Sequence, residues 1–134
     1  MNHNDFLDQA VVEAKSTPQG SIKSGAVLVK AGEVIASSGN QDRILDDPIA
    51  TAEMNCIRQA GRRNDQSEWI LYVTSYPDML TVGTIIQFSI GSLVVGRPRI
   101  KSSEIELLAV KGVRLEFVDH DGCSELATAE TLHE

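Results

Sequence analysis

The sequence has little cysteine and no apolar segment long enough to cross a membrane. Its two cysteines, Cys56 and Cys123, cannot build a disulfide framework, and two free thiols are typical of a cytoplasmic protein. No apolar run reaches the roughly 18 residues of a membrane-spanning helix, and the polar start MNHNDF lacks the pattern of a signal peptide. We therefore expect a cytoplasmic protein with no membrane partner.

Positive charge is also scarce. Twelve lysines and arginines stand against nineteen aspartates and glutamates, which leaves a net charge of −7 at pH 7. Because binding to a nucleic-acid backbone needs a basic face, this balance predicts no nucleic-acid partner and favours a small-molecule ligand. An enzyme, a binding module and an assembly subunit all remain compatible with the composition.

The chain has the length and composition of one globular domain. It contains 134 residues, of which 42% are apolar and 23% are charged. This is the size of a domain with a single core, and the composition is not that of a disordered chain. We expect one domain over residues 1–134.

The order of the predicted elements indicates an α/β fold. Apolar spacing and short apolar runs predict a helix, a β-hairpin and then alternating helices and strands, over residues 5–16, 25–37, 49–60, 69–75, 79–90, 92–95, 103–111, 113–118 and 123–132. Strands separated by helices favour right-handed crossovers and a parallel sheet covered by helices. The prediction is a three-layer sandwich with a five-stranded mixed sheet, antiparallel in its hairpin and parallel later.

Two short segments could meet at one end of this sheet. Thr51-Ala52-Glu53 opens one predicted helix, and residues 77–81 (PDMLT) open the next. Zinc deaminases carry the motifs H-x-E and P-C-x-x-C at two such helix starts. The chain resembles the cytidine and cytosine deaminase family, and within it the homodimeric cytosine and guanine deaminases. The likeness covers residues 5–126 and rests on GEVIASSGN, ATAEMNCIR, LYVTSYP with GTII, SLVVG and VRLEFVDHDGC.

The resemblance does not extend to the family's zinc ligands. Thr51 stands at the position of the family's histidine, and Asp78 and Thr81 stand at those of its two cysteines. A threonine hydroxyl stays neutral near pH 7, whereas zinc sites use imidazole, thiolate or carboxylate ligands. We therefore predict no metal at this site and no other cofactor.

What the resemblance keeps is the family's glutamate, Glu53, and its substrate-binding asparagine, Asn40. We predict that Glu53 is the catalytic acid/base and that Asp78 is a second carboxylate facing it, since two carboxylates in one pocket push their pKa values apart. Asn40, Thr51, Ala52 and Thr81 are expected to bind the substrate. Simpler structural roles compete with these: a first-turn acid for Glu53, a helix cap for Asp78 and a turn residue for Asn40.

Three functional interpretations follow. The first is a deaminase-like hydrolase of C–N bonds without zinc, acting on a small nitrogen heterocycle or amide-like compound. The second is a non-catalytic pseudo-deaminase that binds a ligand or a partner subunit. The third is a true deaminase with an unrecognised metal site, built for example from Asp78, Cys56 and a histidine near a chain end.

The helix predicted over residues 79–90 (MLTVGTIIQFSI) has apolar residues nearly all the way round. A surface helix of a small domain normally has one polar face. We therefore predict a homodimer that buries this helix and its neighbour at residues 49–60, including Ile86 and Phe88. The resemblance to homodimeric deaminases implies the same.

Overall fold

The computed structural model describes residues 2–18 and 20–133, with only the helical backbone of 128–133. Five helices lie in this part of the chain: α1 (His3–Lys15), α2 (Ala52–Ala60), α3 (Met79–Gln87), α4 (Ser103–Val110) and α5 (Asp121–His133). Five strands alternate with them: β1 (Gly25–Lys30), β2 (Glu33–Gly39), β3 (Trp69–Val73), β4 (Ser92–Val95) and β5 (Arg114–Phe117). A short 3-10 turn, Gln66–Glu68, precedes β3.

The strands form one sheet in the order β2-β1-β3-β4-β5. Strand β1 runs antiparallel to both β2 and β3, while β3, β4 and β5 are parallel to one another. The hairpin between β1 and β2 turns at Ala31 and Gly32, which both have positive φ angles, as a tight two-residue hairpin requires. The predicted five-stranded mixed α/β sheet is therefore confirmed.

Helices cover both faces of the sheet and create two apolar layers. Alternation along β3 shows this, because Leu71 and Val73 point toward α2, α3 and α4, whereas Tyr72 points toward α1 and α5. All three side chains are buried. The nearly continuous apolar run of β3 thus has the pattern of a strand buried on both sides.

Side-chain caps decide where the helices start. Asn2 and Asp5 form a capping box, so α1 begins two residues earlier than the apolar spacing predicts. Thr51, Asp78 and Ser102 cap α2, α3 and α4. These caps accept backbone N–H groups that a helix start leaves without an intrahelical partner.

Helix α3 ends three residues before the predicted boundary. Ser89 has a φ angle of 57°, which breaks the helix and returns the buried Ile90 to the core. Val82 and Ile85 pack against the sheet, but Met79, Leu80 and Phe88 remain exposed by 52%, 40% and 40%. As the sequence predicts, apolar residues lie on more than one face of this segment, one face against the sheet and another exposed. No described helix is long and apolar enough to span a membrane.

Candidate active site

The predicted site residues lie where β2 ends and where α2 and α3 begin. Asn40 directly follows β2, Thr51 is the N-cap of α2, and Asp78 is the N-cap of α3. One turn further along, the Thr84 hydroxyl of α3 contacts the Met54 sulfur of α2 at 3.4 Å. The two helices that carry the motif residues are therefore in contact.

Glu53 is the buried ionisable group of this region, with only 8% of its surface exposed. Burial raises the pKa of its carboxyl group above the usual value of 4.5, and the negative charge of Asp78 raises it further. Hydrogen bonds from the backbone N–H of Glu53 and from the Thr51 side chain oppose this effect without cancelling it. The protonated form of Glu53 is thereby favoured, which suits a group that exchanges a proton with a ligand.

Asp78 and Thr51 both act as helix caps. The Asp78 carboxylate accepts a hydrogen bond from the Thr81 backbone N–H at 2.9 Å. The Thr51 hydroxyl accepts one from the Met54 backbone N–H at 3.3 Å. Asp78 therefore has the helix-capping role that the sequence analysis gave as the alternative to catalysis. Its negative charge also raises the pKa of Glu53.

Asn40 is buried, and its amide bonds to the backbone before β1 and to the backbone after β2. Its Nδ2 donates to the Ile22 carbonyl at 3.0 Å, and its Oδ1 accepts from the Asp42 backbone N–H at 3.2 Å. A primary amide has two donor hydrogens and two acceptor lone pairs, so one donor and one acceptor remain after these bonds. Two further predicted pocket residues, Ala52 and Thr81, are also buried.

Asn55 positions the backbone around the site, and the sequence analysis did not identify it. Its Nδ2 donates to the Ala50 carbonyl at 3.2 Å and the Ser38 hydroxyl at 3.2 Å, with a longer contact to the Gly39 carbonyl at 3.4 Å. These bonds hold the end of β2 and the loop before α2 against the helix. The sequence feature that could have identified Asn55 is an asparagine in the middle of a predicted helix, where asparagine has a low helix propensity.

A short basic segment lies at the same edge of the sheet. Parallel strands β3 and β4 both end there, and Arg97 follows β4 after Gly96. The Arg97 Nε donates to the Thr74 carbonyl at 2.8 Å, and the Tyr76 hydroxyl donates to the Pro98 carbonyl at 2.6 Å. The Arg99 guanidinium stacks on the Phe117 ring at 4.8 Å. Three basic residues, Arg97, Arg99 and Lys101, therefore lie in the segment that follows β4 at this edge of the sheet.

The residues at the family's ligand positions do not fit a zinc ion. Thr51 and Thr81 offer neutral hydroxyls, and Asp78 is a single carboxylate already engaged as a cap. Across the described residues, no three histidine, cysteine, aspartate or glutamate side chains are placed to hold a metal.

The alternative metal ligands considered from the sequence lie elsewhere. The buried Cys56 thiol contacts the Ala26 carbonyl at 3.3 Å, and burial raises the pKa of this thiol. His3 contacts Tyr72, and His120 contacts Asp8, on the α1 side of the sheet. His133 lies outside the side chains that the structure describes. A metal site built from Asp78, Cys56 and either His3 or His120 is therefore not formed.

Known proteins resemble this chain along much of its length. It is 37% identical over 97 residues to the chloroplastic tRNA(adenine(34)) deaminase of Arabidopsis thaliana, which covers 69% of this chain but only 7% of that protein. It is 37% identical over 105 residues to a tRNA-specific adenosine deaminase of Agrobacterium fabrum, covering 75% of this chain and 69% of the relative. The crystal structure of guanine deaminase from Bacillus subtilis superposes with a TM-score of 0.65 at 28% identity, over 85% of this chain and 72% of that one.

These relatives contradict two predictions made from the sequence. The prediction that a zinc-less enzyme acts on a small heterocycle or amide-like compound is wrong in its substrate, because relatives at 37% identity are named tRNA adenosine deaminases. The predicted absence of a nucleic-acid partner is contradicted by the same names. A net charge sums over the whole chain, so the value of −7 concealed the local basic segment of Arg97, Arg99 and Lys101.

The family assignment rests on sequence and fold together. The family described as "Cytidine and deoxycytidylate deaminase zinc-binding region" matches residues 1–97, which is more than half of the chain. The α/β fold agrees with the deaminase structure above, as its TM-score of 0.65 shows. The chain therefore belongs to the cytidine and deoxycytidylate deaminase family, whose named members are hydrolases of C–N bonds.

Proposed function

We propose that this chain binds tRNA and holds an adenosine base of it at the N-termini of α2 and α3. The observation that carries the proposal is the 37% identity to tRNA adenosine deaminases over 97 and 105 residues. An enzyme of this class reaches its base by taking the nucleotide out of its stack and placing it in a pocket.

Glu53 is the residue we assign to the base. When protonated, its carboxyl group donates a hydrogen bond to a ring nitrogen of adenine, and when ionised it accepts one from the exocyclic amine. Burial raises the pKa of Glu53 and so favours the first state. The remaining donor and acceptor of Asn40 would then contact another edge of the ring, and Thr51, Ala52 and Thr81 would line it.

The basic segment supplies the contacts to the tRNA backbone. Guanidinium groups bind phosphate in a bidentate manner, and such contacts fix the position of the nucleic acid without reading its sequence. Arg97 is held by the Thr74 carbonyl and Arg99 by the Phe117 ring, so both are ordered before binding. Ordering in advance lowers the entropic cost of association.

Binding of tRNA at different salt concentrations tests this proposal. We expect the double variant Arg99→Gln/Lys101→Gln to bind more weakly, with a slope of log K against log salt that is shallower by about 1.4, from about 0.7 per phosphate contact on a single strand. The charge-matched control is Arg58→Gln/Lys111→Gln, since both residues are exposed and lie near the opposite ends of α2 and α4. Equal slopes in the two double variants would contradict the proposal.

The identity of the base is tested separately. A tRNA with adenosine at position 34 should bind more tightly than the same tRNA with guanosine there, and Glu53→Gln should reduce that preference. Inosine at position 34, measured in the same samples, shows whether the family's reaction accompanies binding. A preference for guanosine, or none at all, would contradict the assignment of the site.

We also infer that two copies of the chain pair through the exposed apolar surface at the start of α3. Met79 and Leu80 lie there, and Ile49 before α2 is exposed by 47%. Burial of apolar side chains on both copies would stabilise a two-fold contact. Sedimentation of the parent and of Leu80→Glu tests this, since the variant should be monomeric. The single domain over residues 1–134 and the cytoplasmic location stay predictions.

A further inference from the structure

A groove of about 380 Å³ lies at the opposite ends of the two site helices. Its lining includes residues that follow α2 and residues at the end of α3, namely Arg62, Arg63, Asn64, Gln66, Gln87 and Phe88. Each of these helices has nine residues and is therefore about 13 Å long. We call this feature the basic groove, and it is separate from the basic segment at the other edge of the sheet.

Among the side chains that the structure describes, no acidic group is paired with the arginines of the basic groove. Within the part of the chain that the structure describes, neither Arg62 nor Arg63 takes part in an ion pair. The nearby Asp65 is paired with Lys30 and accepts a hydrogen bond from the Trp69 indole. Both arginines are exposed, so in a chain with a net charge of −7 they form a positive site open to an anion.

An exposed aromatic ring lies beside these charges. Phe88 follows the last residue of α3, and the positive φ angle of Ser89 turns the chain sharply after it. Ile90 then enters the core while the Phe88 ring remains 40% exposed. Proteins commonly bind single-stranded nucleic acids with this combination, because bases stack on aromatic rings and basic residues contact the phosphates.

We propose that the basic groove binds a single-stranded segment of RNA, with phosphates on Arg62 and Arg63 and a base stacked on Phe88. The side-chain amides of Asn64, Gln66 and Gln87 can form hydrogen bonds with base edges. A site that bound phosphate alone would not need these amides. The inference adds a second contact to the proposed tRNA binding. The length of α2 corresponds to about four stacked nucleotides at 3.4 Å each, so one strand can reach from the site to the basic groove.

The experiment uses a labelled RNA of ten uridines, because this probe contains no adenosine for the site at Glu53. We expect Arg62→Gln/Arg63→Gln to make the salt slope shallower by about 1.4, relative to the parent and to Lys15→Gln/Lys23→Gln, whose lysines lie at the other edge of the sheet. We expect Phe88→Ala to weaken binding about tenfold with an unchanged slope, as for loss of one stacked base. Val110→Ala is its control, since Val110 is the more exposed apolar side chain at 79%.

Two results would overturn this inference. One is uridine binding by the groove variants that equals binding by their controls at an unchanged melting temperature. The other is a Phe88→Ala variant that becomes monomeric while its RNA affinity stays the same, which would assign the ring to a contact between copies. The adenosine preference at tRNA position 34 is measured separately, so failure at the groove and failure at the proposed adenosine site give different results.

Discussion

Glu53 and Asp78 occupy similar places at two neighbouring helix starts, yet their environments differ. Glu53 lies in the first turn of α2 and is buried, with a raised pKa. Asp78 caps α3, is exposed, and accepts the Thr81 backbone N–H. An acid at a helix start is favoured by the helix dipole in both cases, so sequence position alone does not separate the two roles. Burial does, because it penalises the charged form of one carboxylate and leaves the other in water.

The largest expected effect is on the pH dependence of stability when Glu53 is changed to Gln. The folded-state pKa of Glu53 is raised above the unfolded value near 4.5. As the pH rises from about 4.5 to the folded-state pKa, the unfolded chain releases this proton while the folded chain keeps it. Stability of the parent must therefore fall across that window, and the neutral amide introduced by Glu53→Gln would remove this loss.

Thermal melting of the parent and of Glu53→Gln from pH 4 to pH 8 tests this expectation. The variant should gain stability relative to the parent as the pH rises, and the two should converge at pH 4. Glu33→Gln on the exposed start of β2 is the control and should show no such divergence. A parent that outperforms Glu53→Gln at pH 7 would show that Glu53 is stabilised in its charged form.

A smaller effect is expected when Asn55 is changed to Ala. The Asn55 amide gives hydrogen bonds to the Ala50 carbonyl and the Ser38 hydroxyl, both in buried surroundings. Asn55→Ala removes the amide donor and leaves these two buried acceptors without that hydrogen bond, so we expect a loss of about 1–3 kcal/mol in the free energy of unfolding. Urea unfolding measures the loss, with the exposed Arg58→Ala on the same helix as control. Equal stability of the two variants would mean that water replaces the amide.

The elements of the fold could be predicted because local pattern and tertiary position agree in them. The apolar run of β3 is typical of a doubly covered strand, and Pro18 and Gly61 follow the ends of α1 and α2. The end of α3 could not be predicted, since Ile90 continues the apolar pattern while Ser89 adopts a positive φ angle. A non-glycine residue in that conformation depends on the surrounding packing.

The site could be predicted only in outline. The motifs placed Thr51, Glu53 and Asp78 at two helix starts, and the structure has them there. Sequence spacing could not show that the Asn40 amide is engaged by the backbone at both ends, because one partner, Ile22, lies 18 positions away. The nucleic-acid partner of the relatives was missed for a related reason, since a total charge contains no information about where Arg97 and Arg99 lie.

The smallest effect is expected when Asp78 is changed to Asn, which separates its capping role from its charge. Asparagine caps helices about as well as aspartate, so stability at pH 7 should change by only a few tenths of a kcal/mol. Asp78→Ala, the matched variant without a capping oxygen, should lose about 1 kcal/mol. The charge of Asp78 raises the pKa of Glu53 less than burial does, so Asp78→Asn should lower that pKa by the smaller of the two contributions. The carboxyl stretch of Glu53, followed by infrared spectroscopy against pH and assigned by its loss in Glu53→Gln, measures this shift. An unchanged titration in Asp78→Asn would mean that the two carboxylates do not interact, and that Asp78 serves α3 alone.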